Sequence, residues 1–280
     1  MREIADPPPV LYYKGTLLPS DERSVAVLGN RGPMSYGREA TACLTAELAR
    51  NDIAIIIGLA RGVDGVAHRA TLENGGRTIA VLANGMDIIY PREHTNLAQQ
   101  IMDHGAIVSE YPPGVRPDPR SFPRRNRLIS GISLSSLVIE AGEGSGARWT
   151  VYHALEQNRE VFCVPGSIYS PMSRLTNRLI QEGAKLVSNV ADILEELNLT
   201  TVARQVPMPL PVEANDDAES VLLAYLNDEP RHIDDIRRSA DIPIASVSSM
   251  LTMLELKGQV RQVGCMHYVR LREVSQVYGN

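Results

Sequence analysis

The chain has 280 residues, room for one large α/β domain and a small second one. Its formal net charge of -5 argues against indiscriminate binding to nucleic acid or to an anionic membrane, so any such contact must come from a local patch. No basic-then-apolar leader and no apolar run of membrane-spanning length occurs, and the three cysteines (Cys43, Cys163, Cys265) suit neither a disulfide framework nor a zinc knuckle, so a cytoplasmic protein without membrane contact is expected.

Residues 1–23 read as an extended lead. The prolines of D-P-P-P-V-L-Y-Y-K-G keep the chain open, and Val10–Tyr13 suits an edge strand. From Ser24 to Leu197, Val- and Ile-rich runs alternate with helix-length amphipathic segments. The predicted strands are Val25–Leu28, Ile53–Ile57, Thr78–Leu82, Ile107–Ser109, Ser136–Ile139, Val161–Val164 and Lys185–Val187. Between them the pattern predicts helices at Tyr36–Arg50, Gly62–Asn74, His94–Asp103, Arg125–Ser130, Gly146–Gln157 and Leu175–Gln181. Continuous apolar strands covered on both faces make a doubly wound, mostly parallel α/β sheet over residues 24–199, with ligands beyond the carboxyl ends of the strands.

Proline-rich P-M-P-L-P-V and acidic E-A-N-D-D mark residues 200–216 as a linker. Helical periodicity returns at Ala218–Leu226, Ile233–Ala240 and Ala245–Lys257. Two short strands follow, Val260–Val263 and His267–Leu271, with a turn at Gly264. Three helices and a hairpin over 217–280 predict a small winged-helix domain.

The loops at the predicted strand ends carry the chemistry. They read G-N-R-G-P-M-S-Y-G, G-L-A-R-G-V-D-G and E-A-G-E-G-S-G-A-R-W-T, each ahead of a helix whose N-terminal N–H groups can cradle phosphate. None fits G-x-G-x-x-G or the lysine-bearing P-loop, so no nucleotide cofactor is expected; glycines also make ordinary tight turns. Asp64 suits a helix N-cap, His68 a packed or surface histidine, Glu140 a loop-orienting acid and Asp87 a turn residue. Ser145 has no strand–G-x-S-x-G–helix setting, and no metal site is expected.

One stretch departs from the acidic background. Residues 116–131 hold Arg116, Arg120, Arg124, Arg125 and Arg127 against the single acid Asp118, with Phe122 among them. Prolines disfavour helix before Arg124, so an extended loop entering a short helix is expected. Guanidinium forks take phosphate and an aromatic face takes a base, which points to single-stranded nucleic acid; the alternative is a solvated basic loop whose phenylalanine plugs the core.

Together, D-P-P-P-V-L-Y-Y-K-G, G-L-A-R-G-V-D-G-V-A-H-R, Y-P-R-E-H, S-E-Y-P-P-G, F-P-R-R-N-R-L-I-S-G, V-I-E-A-G-E-G-S-G and R-L-T-N-R-L-I-Q-E-G-A resemble the DprA (Smf) family of bacterial DNA-processing proteins, from Asp6 to about Leu197. The resemblance implies a Rossmann-like domain that binds single-stranded DNA, protects it and loads the RecA recombinase onto it in natural transformation. It implies a homodimer, and the winged helix is a common attachment in the family; the thin catalytic constellations of the chain call for no enzyme. Carried over, it places DNA contacts at Gly29, Asn30 and Arg31 and at the F-P-x-R-N-R positions Phe122, Arg125, Asn126 and Arg127. The expected binding set also takes in Arg61, Arg120, Arg124, Ser145 and Gly146. Departures from the family pattern are Asn30 for Ser or Thr, Met34 and Ser35 in the first loop, Ala147-Arg148-Trp149 before Thr150, and Leu175 for a glycine. A rival reading is a nucleotide-cleaving phosphoribohydrolase-like enzyme. Its P-G-G-x-G-T-x-x-E is not matched by A-G-E-G-S-G, and His153 stands after Thr150.

Overall fold

The structure is a computed structural model that describes residues 4–199, 216–227, 229–262 and 266–271. Its contacts divide the chain into two compact units, Met1–Arg204 and Gln205–Asn280. The linker expected over 200–216 and the turn at Gly264 lie almost wholly outside the described residues.

The first unit is built on an eight-stranded sheet. In chain order its strands are β1 (Tyr12–Gly15), β2 (Ser24–Gly29), β3 (Ala54–Ile57), β4 (Thr78–Leu82), β5 (Ala106–Ser109), β6 (Ser135–Glu140), β7 (Glu160–Cys163) and β8 (Lys185–Leu186). They lie side by side as β1-β5-β4-β3-β2-β6-β7-β8, all parallel except β1, which caps the β5 edge antiparallel. After β1 the chain enters the parallel part in the middle at β2, runs outward through β3 and β4 to β5, then crosses back to β6 on the other side of β2. That reversal is the point at which such sheets open a crevice.

Seven helices cover the sheet: α1 (Ser35–Arg50), α2 (Val63–Glu73), α3 (Thr95–His104), α4 (Ser121–Ile132), α5 (Ala147–Glu156), α6 (Arg174–Gln181) and α7 (Val190–Glu196). Alternation along each strand sorts the core into two layers. Ala26, Leu28, Val81 and Val138 pack with Leu128 and Ile129 of α4, Val151 of α5 and Leu179 of α6. Val25, Val27, Ile55 and Leu137 point the other way, onto Leu44 and Leu48 of α1, Ala67 of α2 and Ile193 of α7. Ile107 and Leu82 extend that second layer onto Leu97 and Ile101 of α3. Burial on both faces explains why the strands read as continuous apolar runs.

Helix α4 departs from expectation, starting at Ser121 rather than Arg125. Pro123 is its third residue, in the first turn, where a backbone N–H has no helical partner and its loss costs nothing. Phe122 and Arg124 are therefore helical. Helix α7, missing from the sequence pattern, is a seven-residue helix of about two turns opened by an Asn189–Asp192 capping box.

The second unit holds α8 (Asp216–Ala224), β9 (Arg231–His232), α9 (Ile233–Ala240), α10 (Ile244–Leu256), β10 (Val260–Gln262) and β11 (His267–Arg270). Leu222, Ile236, Val247, Leu251, Leu254 and Tyr268 form its own core. The wing has three strands, not two, because β9 pairs with β11 through His232↔His267 and Arg231↔Tyr268. A two-residue strand carries too little pattern to be read from sequence.

Candidate functional site

The crevice between the β2 and β6 ends widens into a cleft of about 600 Å³. Three loops and α4 form its walls. The β2–α1 loop brings Gly29, Asn30 and Arg31; the β3–α2 loop and first helical turn bring Gly58, Ala60 and Asp64; the β6–α5 loop brings Ser145 and Gly146. From α4 come Phe122, Arg125 and Asn126.

The first two loops are locked together by a glycine. Gly62 has φ 80, and a Cβ there would stand 2.4 Å from the Asn30 carbonyl oxygen, so only glycine permits this approach. The Val63 N–H donates to that same carbonyl at 3.1 Å. Glu140, buried at the end of β6, fixes the first loop from beneath. Its carboxylate accepts from the Met34 N–H at 3.1 Å and from the Asn30 side-chain amide at 3.3 Å. It is the orienting acid that its place at a strand end suggests.

Phe122 stands half-buried among three polarisable groups. The Arg31 guanidinium lies 5.5 Å and that of Arg125 6.0 Å from its ring centroid, with the Tyr90 ring at 6.3 Å. Such placement holds both cations in a defined position by their attraction to the ring face. Arg31 is exposed, whereas Arg125 is buried, 6 % exposed, and donates to the Val81 carbonyl and, at 3.3 Å, to Asn126 Oδ1. Burial pulls the Arg125 pKa down to about 10, against the opposing charge of Asp64. Burial in turn raises the Asp64 carboxyl above the usual range, although the Ala60 N–H donates to it at 3.0 Å. Asp64 is the second residue of α2 and no N-cap, since that place belongs to Gly62.

Gly29, Asn30, Arg31, Phe122, Arg125, Asn126, Ser145 and Gly146 are thus brought together from distant stretches. Arg61 borders a smaller adjoining hollow and is held by Glu93 through two contacts of 2.7 Å. Arg120 and Arg124 are exposed but do not line the cleft. Arg127, expected among the contacts, turns the other way. Its guanidinium is buried and forks onto Glu110 at 2.9 and 2.7 Å, with Asp6 at 3.1 Å. Burial would lower its pKa, but these carboxylates lift it above the usual value. Two positions along a helix is more than half a turn, so Arg125 and Arg127 cannot share a face.

Sequence reasoning passed over Tyr90 and Trp149, which line the cleft, and the role of Asp64. An aromatic beside a proline at a strand-end loop was the available signal for Tyr90, and an aromatic in the first turn of the helix after a glycine-rich loop for Trp149. His68 is fully buried between the Gly58 carbonyl and the Thr78 hydroxyl, each at 2.7 Å. A carbonyl only accepts, so Nε2 carries the proton, while Nδ1 lies against the Thr78 hydroxyl, whose one hydrogen is shared with the Ile55 carbonyl at 2.9 Å. Burial lowers its pKa to about 4. It packs, as expected, and takes no part in the cleft.

A family model described as DNA recombination-mediator protein A matches residues 1–198. The chain belongs to that family. The family's own winged helix domain matches residues 206–264, so the small second unit is the DprA winged helix. The DNA processing protein DprA of Bacillus subtilis is 44% identical over 70% of this chain and 67% of its own length. Protein Smf of Escherichia coli is 39% identical over 97% of this chain and 74% of its own length. Among solved structures, DprA from Streptococcus pneumoniae superposes with a TM-score of 0.67 at 42% identity, covering 70% of this chain and 69% of that one. DNA processing protein A from Helicobacter pylori, described for its single-stranded DNA binding mode, gives 0.64 at 31% identity over 70% and 90%. Among the described residues no helix is long and apolar enough to cross a membrane.

Proposed function

We propose that the cleft holds single-stranded DNA, protects it, and passes it to the RecA recombinase in natural transformation. The observation that carries this reading is the Arg31–Phe122–Arg125 cluster at the strand-order reversal, in a family with a member known for its single-stranded DNA binding mode. Arg31 supplies phosphate charge at the rim, Phe122 a stacking face, and Gly146 a backbone N–H, while Gly29, Asn30 and Ser145, with the Asn30 and Ser145 N–H groups bonded to Glu140 and Gly142, shape the wall the strand lies on. Arg61, Arg120 and Arg124 are outer cations along its path, Arg61 exchanging Glu93 for phosphate. Arg127 is a brace beneath the site.

The labour divides along the chain. Residues 1–23 form the lead, 24–199 the single-stranded-DNA-binding domain, 200–216 the linker and 217–280 the winged-helix domain. Two copies associate, so one strand meets two clefts and gains avidity without a new contact. The setting is cytoplasmic, where the recombinase works, and no catalysis is involved.

A fluorescence titration of labelled single-stranded against duplex DNA tests the binding. Preference for the single strand, weakening with salt, is expected; equal or absent binding overturns it. Recombinase assembly timed with and without the protein tests the handover, and an unchanged rate removes it. Sedimentation that finds only monomer at micromolar protein, with binding intact, removes the dimer.

A further inference from the structure

A loop bordering the cleft on its β7 side takes no part in the contacts above. Between β7 and α6, residues 165–173 read P-G-S-I-Y-S-P-M-S, with Ile168 80% and Tyr169 88% exposed at the tip. The loop is braced from within. The Asn177 side chain accepts from the Gly166 N–H at 3.1 Å and donates back to the Gly166 carbonyl at 2.9 Å. The Ser170 N–H donates to the Ser167 carbonyl at 3.0 Å, and the Ser170 hydroxyl oxygen accepts from the Met172 N–H at 3.3 Å.

The same loop is joined to the wall of the cleft. The Met172 sulfur accepts from the side-chain amide of cleft-lining Asn30 at 3.2 Å, and the Met34 sulfur from the Ser170 hydroxyl at 3.6 Å. The Tyr36 hydroxyl donates to the Pro165 carbonyl at 2.7 Å. Met34 and Tyr36 are themselves half-exposed, so the two loops make one shelf that carries Met34, Tyr36, Ile168 and Tyr169. Large apolar side chains are ordinary on a surface singly, but four gathered beside a cleft mark a contact.

Size and charge select what covers the shelf. Its four side chains expose on the order of 500 Å², well under the roughly 800 Å² that each partner buries in a stable protein interface. A base needs only one ring face, and its phosphates need cations nearby. No Asp or Glu occurs from Val164 to Gln181, and Arg174 is exposed where α6 begins. Arg38 and Arg148 are exposed on α1 and α5, against Glu39 and Glu143. A strand that leaves the cleft over this shelf follows a wall it already touches.

We propose that Tyr169 stacks a base of single-stranded DNA that has left the cleft, which makes the β7–α6 loop an outer platform of the binding track. This rests on the reading of the cleft as a single-strand site. Every base has a ring face, so the platform selects no sequence.

The test uses the full chain and a fifteen-nucleotide thymidine strand. Tyr169→Ala is expected to weaken binding on the order of tenfold, whereas Tyr169→Phe, which keeps the ring, should stay within about twofold of the parent. With one thymidine replaced by 5-iododeoxyuridine, irradiation of the parent complex should join the strand to Tyr169 as well as to Phe122, read by peptide mass spectrometry. If the parent does not bind the strand, the single-strand reading itself fails. If it binds and crosslinks at Phe122 but not at Tyr169, that reading stands and the platform is wrong. Equal affinity of folded Tyr169→Ala and the parent overturns the platform too. So does a Tyr169→Ala chain that loses a dimer seen in the parent while the parent gives no Tyr169 crosslink, which assigns the shelf to a second copy. Crosslinking needs no variant, so a misfolded Tyr169→Ala leaves the proposal open to refutation.

Discussion

Arg125 and Arg127 stand two residues apart on α4 and do different work. Arg127 saturates Glu110, and both side chains are 8% exposed. Arg127→Ala leaves that carboxylate buried without a counter-charge, which costs about 3–5 kcal/mol. Chemical denaturation should show the loss, while the folded fraction keeps its affinity for single strands. Arg31→Ala should do the reverse. Its side chain is exposed, so stability holds, but a lost phosphate contact lowers the log–log salt slope by roughly 0.7. A variant that binds with unchanged slope would take Arg31 out of the site. Phe122→Ala should cost about 1–3 kcal/mol of binding if the ring stacks a base, and should lower the melting temperature first if it only fills space. His68 makes a pH prediction. Its folded pKa of about 4 lies below the unfolded value of about 6.5, so on acidification the unfolded chain takes the proton first. The contribution of His68 is whole above about pH 6.5 and is lost as pH falls toward 4, by up to roughly 1.4 kcal/mol per unit. The stability gap between the parent and His68→Gln should therefore narrow on acidification; a gap constant from neutral to about pH 5 would refute this.

The loops between elements show how much of the site was legible. Strand ends were readable because Val and Ile runs stop at or just before glycine, and Gly29, Gly58 and Gly142 mark three such stops. Legible too was the gathering of Arg31, Phe122 and Arg125, since a doubly wound sheet delivers strand-end loops to one edge. The resemblance supplied the residue assignments, which composition alone left undecided between a grip and a core plug. What failed was direction. Nothing in R-R-N-R tells which arginine meets an acid, because Glu110 and Asp6 arrive from other parts of the chain. The start of α4 was misread by treating Pro123 as a breaker when it sits in the first turn. Asp64 was read locally, as a cap, though the charge it faces is 61 positions away at Arg125. Glu140 offers an element-level test. Glu140→Ala strips the Met34 N–H and the Asn30 amide of their acceptor and should free the β2–α1 loop. Faster amide exchange confined to residues near 30–36, with weaker strand binding, is expected; exchange unchanged there would show that the loop is held by other means.

At the scale of the whole molecule, each unit has its own apolar core, and the question is which of them grips DNA. A winged helix that reads DNA presents a polar or basic third helix to the major groove. Helix α10 has no arginine or lysine within Ile244–Leu256, and its exposed side includes Ile244, Met253 and Leu256, the last at 79%. Lys257, just beyond its end, reaches the Glu219 carboxylate at 2.6 Å. Arg238 pairs with Asp235 at 3.1 Å, and Arg231 and Arg270 donate to the carbonyls of Tyr225 and Leu223. Among the described residues Arg237 and Arg261 are the exposed arginines of the unit left for phosphate. A third helix with no basic residue and Glu255 as its one charge suits a protein contact better than a groove. The first unit, by contrast, concentrates Arg31, Arg125 and Phe122 in one cleft. Cutting between Arg204 and Gln205 should therefore leave most single-strand affinity, within about threefold for a matched oligomeric state, in the N-terminal fragment. The C-terminal fragment alone should bind single strands only weakly and lose that binding steeply with salt. A folded N-terminal fragment that no longer binds, beside a C-terminal fragment that does, would move the site to the winged helix.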